Sequence, residues 1–153
     1  MKKIVIVYDS QTGNTEKMAK AVAEGAGSVA EVNIKKVGEP FPLTLLAEAD
    51  GVIYGSPCIY ANVTTEMRNL VENMEAYVKT GRLNVKGHPA AVFGSYGWDG
   101  AWVMEGVFKL SLKNLGLKVW DEVCVETDSN VKYNEGESMK KCKAFGKKFA
   151  ESL

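Results

Sequence analysis

The sequence predicts an α/β fold: a doubly wound, five-stranded parallel sheet between two layers of helices. Three observations carry this. Ile4–Tyr8, Val52–Gly55 and Ala90–Gly94 are short, nearly continuous apolar runs, the pattern of strands covered on both faces. The segments between them carry apolar residues at helical spacing. Strand and helix alternate along the chain, as right-handed βαβ units require.

Taken in order, Ile4–Tyr8 runs into Ser10-Gln11-Thr12-Gly13-Asn14-Thr15, and a helix follows with Met18, Ala19, Val22 and Ala23 at helical spacing. Val29–Ile34 alternates Ala30, Val32 and Ile34 with Glu31, Asn33 and Lys35; period two with one polar side predicts an edge strand. After Val52–Gly55, the residues Met67, Leu70, Val71, Met74, Tyr77 and Val78 share one helical face. After Ala90–Gly94, Val103, Val107 and Leu110 define a face of the next helix, with Gly116 as its stop. Val119–Val125 is the last strand. Met139, Cys142, Phe145, Gly146, Phe149 and Leu153 stripe the terminal helix. Cys142 lies in that stripe and reads as packing, since buried thiols behave as small hydrophobes. With no repeat, linker or low-complexity tract, residues 1–153 are expected to form a single domain.

At 153 residues and 46% apolar, the chain can bury a full core. Nineteen basic residues balance nineteen acidic ones, which argues against a strong overall field for nucleic acid or membrane. Lys140, Lys141, Lys143, Lys147 and Lys148 crowd the terminal helix and read as its solvated face. No apolar run approaches the ~20 residues of a membrane span, and the N-terminus enters a strand without a signal-peptide core. Cys58, Cys124, Cys142 and the single His88 have no metal-ligand spacing. The expectation is a reduced, cytoplasmic, monomeric protein that holds no metal and binds neither nucleic acid nor membrane.

In such sheets ligands sit beyond the carboxyl ends of the strands. The first loop offers the hydroxyls of Ser10, Thr12 and Thr15, the Asn14 amide, and backbone N–H groups from Gln11 to Thr15 at a helix start, with Gly13 allowing close approach. It contains no Lys or Arg. A phosphate there would rest on neutral donors, each charge-assisted bond contributing ~1.5–3 kcal/mol. The competing reading is an ordinary capped helix start, which uses the same residue types. Neither G-x-x-x-x-G-K-[ST] nor G-x-G-x-x-G is present. Asp9 follows the first strand, but the next buried strand ends Tyr54-Gly55-Ser56, without the carboxylate that a phosphoacceptor domain needs.

The second loop reads Ser56-Pro57-Cys58-Ile59-Tyr60-Ala61-Asn62 and the third Ser95-Tyr96-Gly97-Trp98-Asp99-Gly100. Tyr96 and Trp98 flank Gly97 and are expected to offer a stacking platform for a planar ring. A phosphate loop facing such a platform suggests a flat heteroaromatic phosphate, with FMN the foremost candidate. Cys58 has no neighbouring His or Lys to make a thiolate. His88 precedes Pro89 at the opposite edge of the sheet and reads as structural.

These residues resemble those of short-chain flavodoxins. Ser10-Gln11-Thr12-Gly13-Asn14-Thr15 is similar to the family's S/T-x-T-G-x-T phosphate loop, and Gly94-Ser95-Tyr96-Gly97-Trp98 to its second flavin loop. Val125-Glu126-Thr127 and Phe145-Gly146-Lys147-Lys148 extend the likeness across the chain. The resemblance implies a flavodoxin-like three-layer sandwich with strand order 2-1-3-4-5 and bound FMN. It implies Trp98 on the outer face of the ring, Ile59 on the inner face, and Asn62 at the pyrimidine edge. Backbone groups from Tyr96 to Asp99 would meet the ring carbonyls, and the Tyr60 peptide would lie near N5.

The implied function is non-catalytic: a low-potential carrier that docks transiently beside redox protein donors and acceptors. Withholding cations, adding repulsion from Asp99 and Glu66, and stacking the ring between Trp98 and Ile59 all disfavour the reduced anion. Each ~1.4 kcal/mol moves a one-electron potential by ~59 mV. Relatives often carry Gly at the inner-loop peptide near N5, whereas this chain has Tyr60-Ala61. A side chain at positive φ costs ~1–2 kcal/mol, so the first one-electron potential is expected to be lower than in Gly-bearing relatives. An acidic rim of Glu66, Asp99, Glu105 and Asp128 is expected to steer docking. The alternatives are a flavin module serving a flavodiiron-type oxidase in trans, and an NAD(P)H:quinone reductase.

Overall fold

The computed structural model describes residues 1–97 and 103–153. The elements run β1 (Lys3–Tyr8), α1 (Asn14–Gly27), β2 (Glu31–Lys36), α2 (Thr44–Glu48), β3 (Gly51–Pro57), α3 (Thr65–Lys79), β4 (Pro89–Tyr96), α4 (Val103–Asn114), β5 (Lys118–Thr127), α5 (Asp128–Tyr133) and α6 (Glu135–Glu151). The strands form one parallel sheet in the order β2-β1-β3-β4-β5. The expected topology is thus observed, with β2 at an edge and starting two residues later than its alternation suggested. The five-residue α2 and six-residue α5 carry too few turns to show a helical period.

Alternation along the strands divides the core. Val5, Val7, Val52, Tyr54 and Val92 face Met67, Leu70, Met74, Met104, Phe108 and Leu112 of α3 and α4. Ile4, Ile6, Ile53, Ala91, Phe93 and Cys124 face Met18, Val22, Cys142, Phe145 and Phe149 of α1 and α6. The five lysines of α6 lie on its exposed side. His88 sits just ahead of β4, at the amino end of the sheet.

One helical face is corrected. Val103, Val107 and Leu110 are 49%, 44% and 59% exposed, while Met104, Phe108 and Leu112 turn inward. Both faces of α4 are apolar, so periodicity could not choose between them, and the bulkier Phe108 fills the core beside Tyr54. Leu110→Ser is therefore expected to shift unfolding free energy by no more than ~0.5 kcal/mol, as surface substitutions do. Urea unfolding checks it; a loss of several kcal/mol would restore the outward residues to the core.

Candidate functional site

The carboxyl ends of β1, β3 and β4 deliver the three predicted loops to one edge of the sheet. In the first, Gly13 occupies the left-handed region at φ 95° and precedes α1, and no side chain caps the helix. Ser10 Oγ instead accepts the Gly13 N–H at 3.1 Å, folding the loop on itself. The Asn14 amide reaches Thr12 Oγ1 at 3.4 Å, and the buried Thr15 hydroxyl pairs with Ser95 Oγ at 2.7 Å. The Ser10 and Thr12 hydroxyls thus serve the loop itself and the Thr15 hydroxyl serves β4, in place of a side-chain cap on α1. A Cβ at Gly13 would meet no atom within 4 Å, so space lies beside this backbone. Lys17, one turn on, is paired with Glu135 at 3.9 Å.

Asp9 joins this loop to the next. It is 6% exposed, accepts the Ser10 N–H at 2.9 Å and takes the Thr64 hydroxyl at 2.6 Å. Thr64 in turn caps α3 by accepting the Met67 N–H. Sequence reasoning passed over both residues as site-builders. The available signals were an Asp at the end of a buried strand and a Thr just ahead of a helical stripe. Beside them, Tyr8 donates to Glu16 at 2.8 Å, and burial, helped by that carboxylate, pushes the Tyr8 phenol up to about 12.

The second loop closes on a two-residue hairpin. Ile59 and Asn62 exchange backbone hydrogen bonds of 2.8 and 3.1 Å, with Tyr60 and Ala61 between them at φ 49° and 62°. Two non-glycine residues in the left-handed region make this a strained turn. Tyr60 is 99% exposed, whereas Ile59 and Asn62 are half-buried. Ser56 is turned inward, donating to Pro57 O and accepting the Thr64 N–H. The Cys58 N–H bonds to Ser95 O at 2.8 Å and ties this loop to β4.

The third loop requires corrections. Tyr96 is not half of a ring platform: it is 1% exposed, the last residue of β4, and its hydroxyl bonds to Glu105 of α4. Glu105 is itself buried and cannot belong to a docking rim. Trp98 and Asp99 lie outside the described residues. Glu66 is exposed and Asp128 partly so.

Burial raises the Asp128 carboxyl above its usual range, while hydrogen bonds from Asn14 and Ser95 oppose the shift. The folded chain therefore holds this proton to higher pH than the unfolded chain does. Its contribution to stability is present below the ordinary carboxylate value and is lost as pH rises through the folded value. Asp128→Asn should gain stability relative to the parent as pH rises from about 3 to 7, read from urea midpoints. A constant difference would remove Asp128 from this account.

The comparisons with known proteins follow the same geometry. The flavodoxin family model matches residues 6–144. The chain belongs to the flavodoxin family. A flavodoxin from Clostridium beijerinckii is 35% identical over 147 residues, covering 95% of this chain and 97% of the relative. An uncharacterized protein of Methanocaldococcus jannaschii is 34% identical over 153 residues, 97% of this chain, which spans only 36% of that longer relative. The solved structure of a flavodoxin from the domain Archaea superposes with TM-score 0.79 at 27% identity, covering 98% and 97% of the two chains. Flavodoxins bind FMN and carry electrons. Among the described residues no helix is long and apolar enough to cross a membrane.

Proposed function

We propose that this flavodoxin carries low-potential electrons on FMN between transiently bound redox proteins. The observation that carries the reading is the uncapped amino end of α1, beside a hydroxyl loop already folded and held by Ser10, Ser95 and Asp9. Backbone N–H groups from Gln11 to Thr15, with the Ser10, Thr12 and Asn14 side chains, would grip the terminal phosphate. Thr15 and Ser95 would support them as a buried pair. Bound FMN supplies a ring that accepts electrons singly. Ile59 and Trp98 would enclose that ring and Asn62 would meet its pyrimidine edge, with Pro57, Cys58, Gly97 and Asp99 completing the walls. Asn62 already spends its Oδ1 on the Val63 N–H at 2.8 Å, which leaves its amide N–H groups for the ligand.

The Tyr60–Ala61 peptide would meet N5. Turning that peptide over in the hairpin leads to a type II′ turn, whose first central position is dominated by glycine. Tyr60 resists that change, so the protein gives less help to the first electron.

Titration of apoprotein with FMN, followed by flavin fluorescence, is expected to saturate at one per chain at micromolar concentration. Riboflavin, lacking the phosphate, should bind far more weakly; equal affinity would remove the first loop from the site. In a redox titration Tyr60→Gly should raise the first one-electron potential by up to ~59 mV, the equivalent of ~1.4 kcal/mol. No change in that potential would sever the hairpin from N5. Rapid NADPH oxidation with quinone turnover would instead support a reductase, and selective electron delivery to a flavodiiron-type oxidase would support a dedicated module.

A further inference from the structure

Cys124 on β5 and Cys142 on α6 are fully buried, and their Sγ atoms lie 3.7 Å apart. Neither belongs to the loops described above. Cys124 also lines a groove of about 250 Å³ between β5 and α6, bordered by Glu122, Val123, Lys141, Phe145 and Lys148. At its rim Lys141 Nζ is held by Val125 O at 2.6 Å and Glu126 Oε2 at 3.1 Å, which fixes a cation one residue along from Cys124. We propose that Cys124 and Cys142 are a hydroperoxide-responsive dithiol that closes to a disulfide, stapling the edge strand β5 to α6.

The neighbouring Cys142 thiol and then the Lys141 ammonium hold the Cys124 thiol below its ordinary range against burial, while the contact with Cys124 and burial push Cys142 up. Roles follow from position: Cys124 lines the groove beside the Lys141 ammonium, whereas Cys142 is not part of that lining, so Cys124 is the attacking sulfur. Cys124 attacks the terminal oxygen of the hydroperoxide; an S–O bond forms, the O–O bond breaks, and alcohol or water leaves with the thiol proton. The Cys142 sulfur then attacks the Cys124 sulfenic acid; the S–S bond forms, the S–O bond breaks, and water departs with the second thiol proton. Two thiols are oxidised and one peroxide is reduced. Closure needs the sulfurs to approach from 3.7 Å to the ~2.05 Å of a disulfide bond. The segment enclosed by the cross-link contains Glu126 and Asp128, so the staple would tether the stretch that borders Asn14 and Ser95.

The test treats the full native chain with hydrogen peroxide, blocks remaining thiols under denaturing conditions, and maps non-reduced tryptic peptides by mass. The expected result is one cross-linked peptide pair joining residues 124 and 142, two hydrogens lighter than the separate peptides and released by dithiothreitol. Cys142→Ser removes the resolving thiol while keeping a small side chain; in that variant dimedone should capture Cys124 as its sulfenic acid. The proposal is overturned if both buried cysteines are recovered fully alkylated, if the link formed involves Cys58, or if dimedone marks only Cys58.

Discussion

Replacing Gly146 by Val is expected to lower unfolding free energy by about 3 kcal/mol or more, the upper range for overpacking. A Cβ at Gly146 would lie 2.1 Å from Val22 O, and one at Gly25 would lie 1.9 Å from Lys143 O. Each glycine thus brings one helix backbone directly against a carbonyl of the other. Backbone atoms cannot rotate aside as a flexible side chain can, so α1 and α6 must separate. Separation exposes Met18, Val22, Phe145 and Phe149, the helical half of one core. It also moves α1, whose amino end forms the first loop. Gly106 of α4 is the control: a Cβ there meets nothing within 4 Å, so Gly106→Ala should be neutral or stabilising by up to ~1 kcal/mol, the gain in helix propensity. Urea unfolding of the two variants decides the matter. Equal stabilities would show that α1 and α6 can part at no cost.

What the sequence made legible follows from how strongly each element is patterned. β1, β3 and β4 are buried on both faces and read as apolar runs without ambiguity. The place of the first loop was legible because it lies between an apolar run and a helical stripe, and it is found between β1 and α1. Two errors share a cause, the choice of face. On α4 the Val103 and Met104 stripes both satisfy helical spacing, and only the shape of the core selects the second. Tyr96 was read as loop because its neighbours are Ser and Gly. Continuing β4 by two residues gives it the parity of Val92, which faces the core. The buried bond between Tyr96 and Glu105 joins two elements and has no local signature. The same holds for Asp9 and Thr64, which are 55 residues apart.

Thr64→Val should be the most damaging conservative change at the candidate site, costing ~2–4 kcal/mol from a lost charge-assisted hydrogen bond and a lost helix cap. Valine keeps the volume, so the loss is chemical and leaves no cavity. The Asp9 carboxylate would lose a 2.6 Å donor at a position almost closed to water, and the Met67 N–H would lose its acceptor. Among the described residues, Asp9 would retain the Ser10 N–H, a contact within its own loop. The link that sets the first loop against the start of α3 would therefore disappear. If that link positions the phosphate grip relative to the ring walls, FMN affinity should fall as well. Thr64→Ser separates the two effects: it restores the hydroxyl while losing a methyl, so flavin affinity should return even where stability does not fully recover. Matched urea and FMN titrations of Val and Ser variants provide the measurement. Full FMN affinity in Thr64→Val would mean that each loop holds its geometry independently, and would leave Asp9 a role in stability alone.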